Sequence, residues 1–323
     1  MISVVIPAFN EGEGIRLLHE RLAASAVAWK EDYEFILVDD GSRDNTFAIA
    51  EELARGDPHL KVISLSRNFG HQPAVTAGLD HAQGDLIAVI DADLQDPPEE
   101  LLRFFEKCRE GYDVVYAIRT KRKEGILKRM SYRIFYRVLA SLANIQIPLE
   151  AGDFCVMNRR ALDALNGLPE RNRFIRGLRS WIGFRQAGLP YERQGRAMGE
   201  PKYTFRQLLN LALDGIFNFS TKPLRMIALT GFFIGMLALA AGLLFFVQYV
   251  TDWTIWGYNP REARGWTSLM LAVLFLAGVQ LFSLGVIGEY LGRLFAEIKR
   301  RPVYLVGRTV NLPPGRSSES SGR

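Results

Sequence analysis

This chain of 323 residues is poor in cysteine and histidine and, over two long stretches, has no charge. Its two cysteines, Cys108 and Cys155, are too few for a disulfide framework or a zinc site and read as buried thiols. Its four histidines include no pair at metal-ligand spacing. No Walker A loop and no G-x-S-x-G elbow occur, which sets aside P-loop phosphoryl transfer and hydrolase-type nucleophilic catalysis. Gly12 and Gly14 begin a dinucleotide fingerprint, but Leu17 stands where the third glycine belongs and Glu11 would oppose a pyrophosphate. The amino terminus lacks a charged leader segment and a cleavage site, so it reads as a first strand and not a signal peptide.

Residues 226–250 and 267–288 hold no charged side chain. Twenty-five helical residues reach roughly 37 Å against a hydrocarbon core of about 30 Å, so each run can span a bilayer, the first with some tilt. Core helices of a soluble protein are the alternative. Lys222 and Arg225 precede the first run and Arg293, Lys299, Arg300 and Arg301 follow the second, while the connecting loop balances Arg261 and Arg264 against Asp252 and Glu262. Such flanking charge places both termini in the cytoplasm. Gly231 and Gly235 form a small-xxx-small pair suited to helix packing, with a homo-oligomer as one outcome.

Before residue 200, short β-branched runs (2–6, 34–38, 61–65, 86–90, 114–118) alternate with amphipathic segments such as 14–28, 46–55 and 99–110. This rhythm predicts an α/β fold, a Rossmann-like and mainly parallel sheet covered on both faces, with ligands bound beyond the carboxyl ends of the strands. Polar clusters fall at those ends: PAFNE (7–11), DDGS (39–42), SRNFGH (66–71) and DADLQ (91–95). Taken singly, Asp39 and Asp40 read equally well as a turn capping the next helix, and Arg67 and Asn68 as solvated loop. In DADLQ, alternate residues of an extended chain would turn Asp91, Asp93 and Gln95 to one side, a donor set for Mg²⁺ or Mn²⁺ completed by substrate phosphates. Beyond it Asp96 suits a helix N-cap, Pro97 the first helical position, and Glu99 and Glu100 the positive helix end.

Between Arg119 and Arg137 there are eight basic residues against one acid, Glu124, while Ile126, Leu127, Met130, Ile134, Val138 and Leu142 recur at helical spacing. That pattern is a basic amphipathic helix for an anionic leaflet, with nucleic acid as the rival anion; the two apolar runs favour lipid. Residues 203–219 repeat the theme as an interfacial helix. AGDFCVMNRRAL places Asp153 just before a short apolar strand and Arg159 and Arg160 after it, and the terminal LPPGRSSESSGR reads as a disordered tail. The expected division is a cytoplasmic catalytic domain (1–200), an interfacial helix (201–225), two membrane helices (226–292) and a cytoplasmic tail (293–323).

Together PAFNE, VDDGS, SRNFGH, DADLQDPPE, AGDF, RFIRGLRSW, GEPKY, IGEYLGR and RRP make the chain resemble the polyprenyl-phosphate glycosyltransferases of the GT-A, family 2 type, which include dolichyl-phosphate mannose synthases and bacterial bactoprenol glucosyl transferases. Two positions depart from the pattern: Pro201 stands where serine is common, and His71 where the residue is often basic. The resemblance implies transfer of a sugar from a nucleotide-sugar, UDP-glucose first, to polyprenyl (undecaprenyl) phosphate at the cytoplasmic face of the plasma membrane. GDP-mannose or a modified UDP-sugar is the alternative donor. It also implies that Pro7, Asn10, Glu11, Asp39, Asp40, Arg67 and Asp91 face the nucleotide, and that Asp91, Asp93 and Gln95 hold the metal. Asp153 and Asp93 would be catalytic, and Arg119, Arg129, Ser131, Arg133, Lys202 and Tyr203 would meet the lipid phosphate. A processive polysaccharide synthase and a non-catalytic membrane scaffold are the rival readings. The first is opposed by RGLRSW standing where a Q-x-x-R-W signature belongs, the second by the absence of charge within the hairpin.

Overall fold

The computed structural model describes residues 1–119, 151–171, 173–192, 222–251 and 265–312. Its elements run β1 (Ile2–Ala8), α1 (Gly12–Ala26), β2 (Tyr33–Asp39), α2 (Thr46–Gly56), β3 (Leu60–Leu65), α3 (His71–His81), β4 (Leu86–Val89), α4 (Leu101–Arg109) and β5 (Val114–Arg119). Further along come β6 (Ala151–Asn158), α5 (Arg159–Asn166), α6 (Ile175–Trp181), β7 (Gln186–Tyr191), α7 (Lys222–Thr251), α8 (Trp266–Ile298) and β8 (Val306–Val310). The five strands and three helices expected from the alternating pattern all form, within a few residues of their expected bounds.

One eight-stranded sheet has the order β7-β5-β6-β4-β1-β2-β3-β8. β1 pairs in parallel with both β2 and β4, and β2 with β3, so the winding reverses between β1 and β4 and opens a crevice beyond their carboxyl ends. β6 runs antiparallel to both β4 and β5, and β8 antiparallel to β3, which makes the sheet mixed. Alternation along the strands explains the two covered faces. Val4, Ile6 and Phe35 pack with Ile15, Leu18, Leu22, Phe104 and Phe105 under α1, α2 and α4. Val5, Ile36 and Val38 pack with Val75, Leu162 and Leu178 under α3, α5 and α6. Full burial of a side chain such as Phe104 contributes roughly 1.5–3 kcal/mol. Gly78 lets α3 lie close on β1, since a Cβ there would stand 2.2 Å from Val5 Cγ1. Cys108 and Cys155 are buried free thiols, as expected; burial pushes Cys108 up to about 12, which leaves it protonated and inert.

α7 and α8 are long and apolar enough to cross a membrane, with mean hydropathy 2.3 over Lys222–Gln248 and 1.4 over Phe275–Ile298. Their large apolar side chains, Leu237 and Phe233 among them, face outward. Gly231 and Gly235 have open space around them. Beyond α8 the chain does not run off as a tail throughout: Val306–Val310 returns to the sheet against β3. The sequence gives little sign of this, because a five-residue edge strand has neither a long period nor a buried face, and its residues are largely exposed. The amphipathic segments around 126–142 and 203–219 and the last eleven residues lie outside the described residues.

Candidate active site

Two loops stitched together form one wall of the crevice. The Asn10 amide donates to Ser42 Oγ at 2.9 Å, and Asn10 Oδ1 accepts the Arg43 amide at 2.9 Å, with Asn10 in the left-handed region (φ 53°). The Glu11 amide donates to Thr46 Oγ1; burial would raise the Asp44 carboxyl, but the Thr46 hydroxyl and the amides of Thr46 and Gly12 donate to it and hold it below its ordinary value. Pro7 is buried inside β1 at a register beyond the β4 pairing, where its missing N–H costs no ladder bond on that side.

Asp39 and Asp40 turn their carboxylates on the chain itself. Asp39 accepts from the Ser42 amide at 3.0 Å and Ser64 Oγ at 2.8 Å, and Asp40 from the amides of Phe69 at 2.7 Å and Gly70 at 2.9 Å. Burial outweighs those two amides and raises the Asp40 pKa. The turn is present but caps no part of α2: the two carboxylates fix the surrounding loops instead, and each keeps further lone-pair capacity. Arg67 is exposed, donates to the Asn68 carbonyl at 3.0 Å and lies 4.1 Å over the Phe69 ring. Gly41, at φ +65°, lets the DDGS and SRNFGH loops meet: a Cβ there would stand 2.5 Å from the Arg67 carbonyl carbon. We expect Gly41→Ala to lose about 1–2 kcal/mol from the left-handed backbone alone and to part the two loops, seen as a lower Tm.

The DADLQ segment corrects one expectation. β4 ends at Val89, and residues 91–95 form a turn in place of extended strand: Leu94 has φ 60° and the Gln95 amide donates to Asp93 Oδ1 at 3.2 Å. An aspartate bonding the amide two residues on competes with strand pairing, so the alternate-residue argument fails, and the three donors follow β4 on a turn. A second correction concerns Asp96. It caps no helix but is buried, accepting a hydrogen bond from Tyr191 Oη, and the helical turn starts at Pro98 after an extended Pro97. Glu99 does serve the helix start, and it holds Arg21 through bonds of 2.9 and 2.7 Å.

Asp153 lies not before β6 but third within it, and it is the centre of a charged cluster. Arg176 approaches it with Nε 3.4 Å from Oδ1 and Nη2 3.2 Å from Oδ2, and His71 Nε2 stands 3.4 Å from Oδ2 and 3.9 Å from Asp91 Oδ1. Burial would raise the Asp153 carboxyl, but Arg176 and His71 hold it well below the usual carboxylate range. Burial would lower His71, yet the hydrogen bond and charge of Asp153, with Asp91 beyond, raise it to about 9. Asp91 is raised to about 6, first by burial, against His71, and further by the charges of Asp96, Asp153 and Asp93. Arg179, one turn beyond Arg176, is buried, donates to the Gly152 carbonyl at 3.4 Å and so braces the start of β6.

His71, Gln72, Arg176 and Arg179 have no role in the site as read from the sequence. The spacing of Arg176 and Arg179 in RFIRGLRSW, three apart on one helix face, was the available signal. Among the described residues no three His, Cys, Asp or Glu side chains converge as a metal-holding group. Two carboxylates and an amide at the crevice, with Asp91 crowded by like charge, nonetheless fit a cation that takes one or two protein carboxylates and finishes its shell with phosphate oxygens. Arg119 closes β5, and Arg129, Ser131, Arg133, Lys202 and Tyr203 lie outside the described residues.

Comparison with known proteins adds the following. A family described as Glycosyl transferase family 2 matches residues 3–165, and the GtrB C-terminal hairpin matches residues 222–294. The uncharacterized glycosyltransferase YkcC of Bacillus subtilis is 44% identical over 316 residues, covering 96% of this chain and 94% of that one. The prophage bactoprenol glucosyl transferase homolog of Escherichia coli K12 is 39% identical, covering 95% and 98%, and the bactoprenol glucosyl transferase of Shigella phage SfX is 40% identical, covering 94% and 98%. Among solved structures, glucosyl-3-phosphoglycerate synthase from Mycobacterium tuberculosis with Mn²⁺, UDP and phosphoglyceric acid is 22% identical, covering 67% of this chain and 76% of that one at a TM-score of 0.45.

Proposed function

The chain belongs to glycosyl transferase family 2, and from that premise we propose that it moves a sugar, glucose from UDP-glucose first, onto polyprenyl (undecaprenyl) phosphate at the cytoplasmic face of the membrane. The observation that carries this reading is that relatives named bactoprenol glucosyl transferase align over nearly the whole chain, apolar hairpin included. The enzyme is a glycosyltransferase, and its donor crevice is the one between β1 and β4.

In this reading the PAFNE and DDGS loops, with Arg67, hold the nucleotide. Asp91, Asp93 and Gln95 are the residues that would hold Mg²⁺ or Mn²⁺, which supplies charge stabilisation at the departing diphosphate. A lipid-phosphate oxygen forms the bond to the anomeric carbon as the bond from that carbon to the diphosphate breaks, with inversion in one step. The nucleophile is anionic at neutral pH, so no general base is needed. Asp153 suits that economy, because a carboxyl held so far below its ordinary range is a poor proton acceptor and a good fixed anchor for Arg176 and His71. Arg119, Arg129, Ser131, Arg133, Lys202 and Tyr203 are the proposed acceptor-phosphate contacts. α7 and α8 span the membrane with both termini cytoplasmic, and the open face at Gly231 and Gly235 accommodates a second copy.

Detergent-purified protein incubated with undecaprenyl phosphate and labelled UDP- and GDP-sugars tests this. Label should enter the lipid from UDP-glucose with Mg²⁺ or Mn²⁺ and not with EDTA, and the product linkage should be inverted. Transfer from no donor overturns the reading, and retained stereochemistry overturns the single displacement.

A further inference from the structure

The His71–Asp153–Arg176 cluster joins side chains from three elements, and two of those elements are tied to the segment that leaves the apolar hairpin. α3 carries His71 in its first turn and Asp80 near its last; at 1.5 Å per residue the two ends lie roughly 15 Å apart on one rigid rod. At the far end Tyr304 Oη donates to Asp80 Oδ2 at 2.9 Å. Tyr304 is itself fixed by its neighbour, since the Leu305 carbonyl accepts the Ser66 amide at 2.8 Å where β8 joins β3.

The loop before α6 is tied to the same segment. The Arg171 amide donates to Glu297 Oε1 at 2.9 Å, at the end of α8, and the Arg171 guanidinium donates to the Arg301 carbonyl. Arg173, buried, donates to the Leu165 carbonyl at 2.5 Å, and its charge also acts on Asp80 and Tyr304. At the site end the two elements are stapled directly: the Ile175 amide, opening α6, donates to Gln72 Oε1 at 2.8 Å, one residue from His71 on one side and from Arg176 on the other.

We propose that Tyr304 and Glu297 are positioning residues that hold His71 and Arg176 in register on Asp153, acting through α3 and the loop before α6. The rate readout of this proposal rests on the proposed function; its structural readout does not. Removing the Tyr304 hydroxyl takes from Asp80, at the exposed far end of α3, the bond that ties this helix to the segment leaving α8, while the Gln72–Ile175 bond at the site end remains.

The test uses the full chain in lipid nanodiscs with Tyr304→Phe and Glu297→Ala, each of which removes the hydrogen-bonding group itself. Each should lower kcat for transfer to undecaprenyl phosphate about tenfold while the donor KM stays within about twofold, the size of one lost hydrogen bond's worth of positioning. Amide hydrogen exchange should quicken in 71–80 and 175–181. Tyr304→Phe should slow His71→Gln no further, because the path is already cut. Asn311→Ala is the control: the Asn311 amide caps the carbonyls of Ala54, Asp57 and Leu60 at the other end of β8, so its loss should lower Tm and leave kcat. The proposal fails if both variants keep full kcat, if their exchange in those segments is unchanged, if the Tyr304 and His71 effects multiply independently, or if Asn311→Ala slows transfer as much as Tyr304→Phe. A wild-type protein that transfers no sugar overturns the proposed function, and hydrogen exchange then still decides the coupling.

Discussion

Asp153→Ala should lower the unfolding free energy by about 3 kcal/mol, the lower end of the cost of removing one partner from a buried charge cluster. Arg176 and His71 converge on that carboxylate and keep only a quarter to a third of their side chains exposed, so both cations would stay largely desolvated without it. The lower end applies because that residual exposure lets water recover part of the loss. Transfer should fall about a hundredfold, since a misplacement of an ångström at a reacting centre costs that much. Asp153→Asn should keep more stability than Asp153→Ala but little more activity, because it restores shape without charge.

The same cluster sets a pH dependence in metal-free protein. His71 rises from 6.5 to about 9 on folding, so its stabilisation is complete below 6.5 and is lost as pH rises through 9. The Tm difference between wild type and His71→Gln should shrink between those values. Asp153 works in the opposite sense, with its contribution present above its ordinary pKa and lost only in strong acid. A Tm difference that stays constant from pH 6.5 to 9 would remove His71 from the cluster as a charged member.

Asp93→Ala should abolish metal-supported transfer, by about a thousandfold, as should Asp91→Asn. The crevice offers few donors, and a cation that supplies several kcal/mol of charge stabilisation at the leaving diphosphate depends on each of them. The two substitutions should differ in stability. Burial, with the charges of Asp96, Asp153 and Asp93, outweighs the attraction of His71 and raises Asp91, so Asp91→Asn should be at least as stable as wild type without metal. Asp93 accepts the Gln95 amide, and its loss loosens the turn. Transfer rates with and without added Mn²⁺, beside thermal unfolding in EDTA, separate the two effects. A fully active Asp93→Ala would remove it from the metal set.

The alternating pattern of the first half made the doubly wound sheet legible, because β-branched runs and amphipathic segments carry their period in every turn. What escaped was what local pattern does not encode. DADLQ reads as extended strand, yet Asp93 bonds its own Gln95 amide and bends the chain, and Asp96 is drawn inward by a tyrosine 95 residues away. His71 and Arg176 meet on Asp153 only because β6 inserts beside β4, a pairing that leaves no trace in spacing. The motifs led to the strand ends and missed the partners that meet there.

β8 has a consequence for how such a molecule is made. The ribosome delivers β1 to β7 first, then the two apolar helices, and only afterwards the strand that covers the outer edge of β3. Until then β3 presents a bare row of amides and carbonyls, a template for pairing with any passing chain. Biogenesis therefore has a fixed order: the hairpin must be disposed of before the sheet can be closed, and a chain interrupted within it carries an open, adhesive flank.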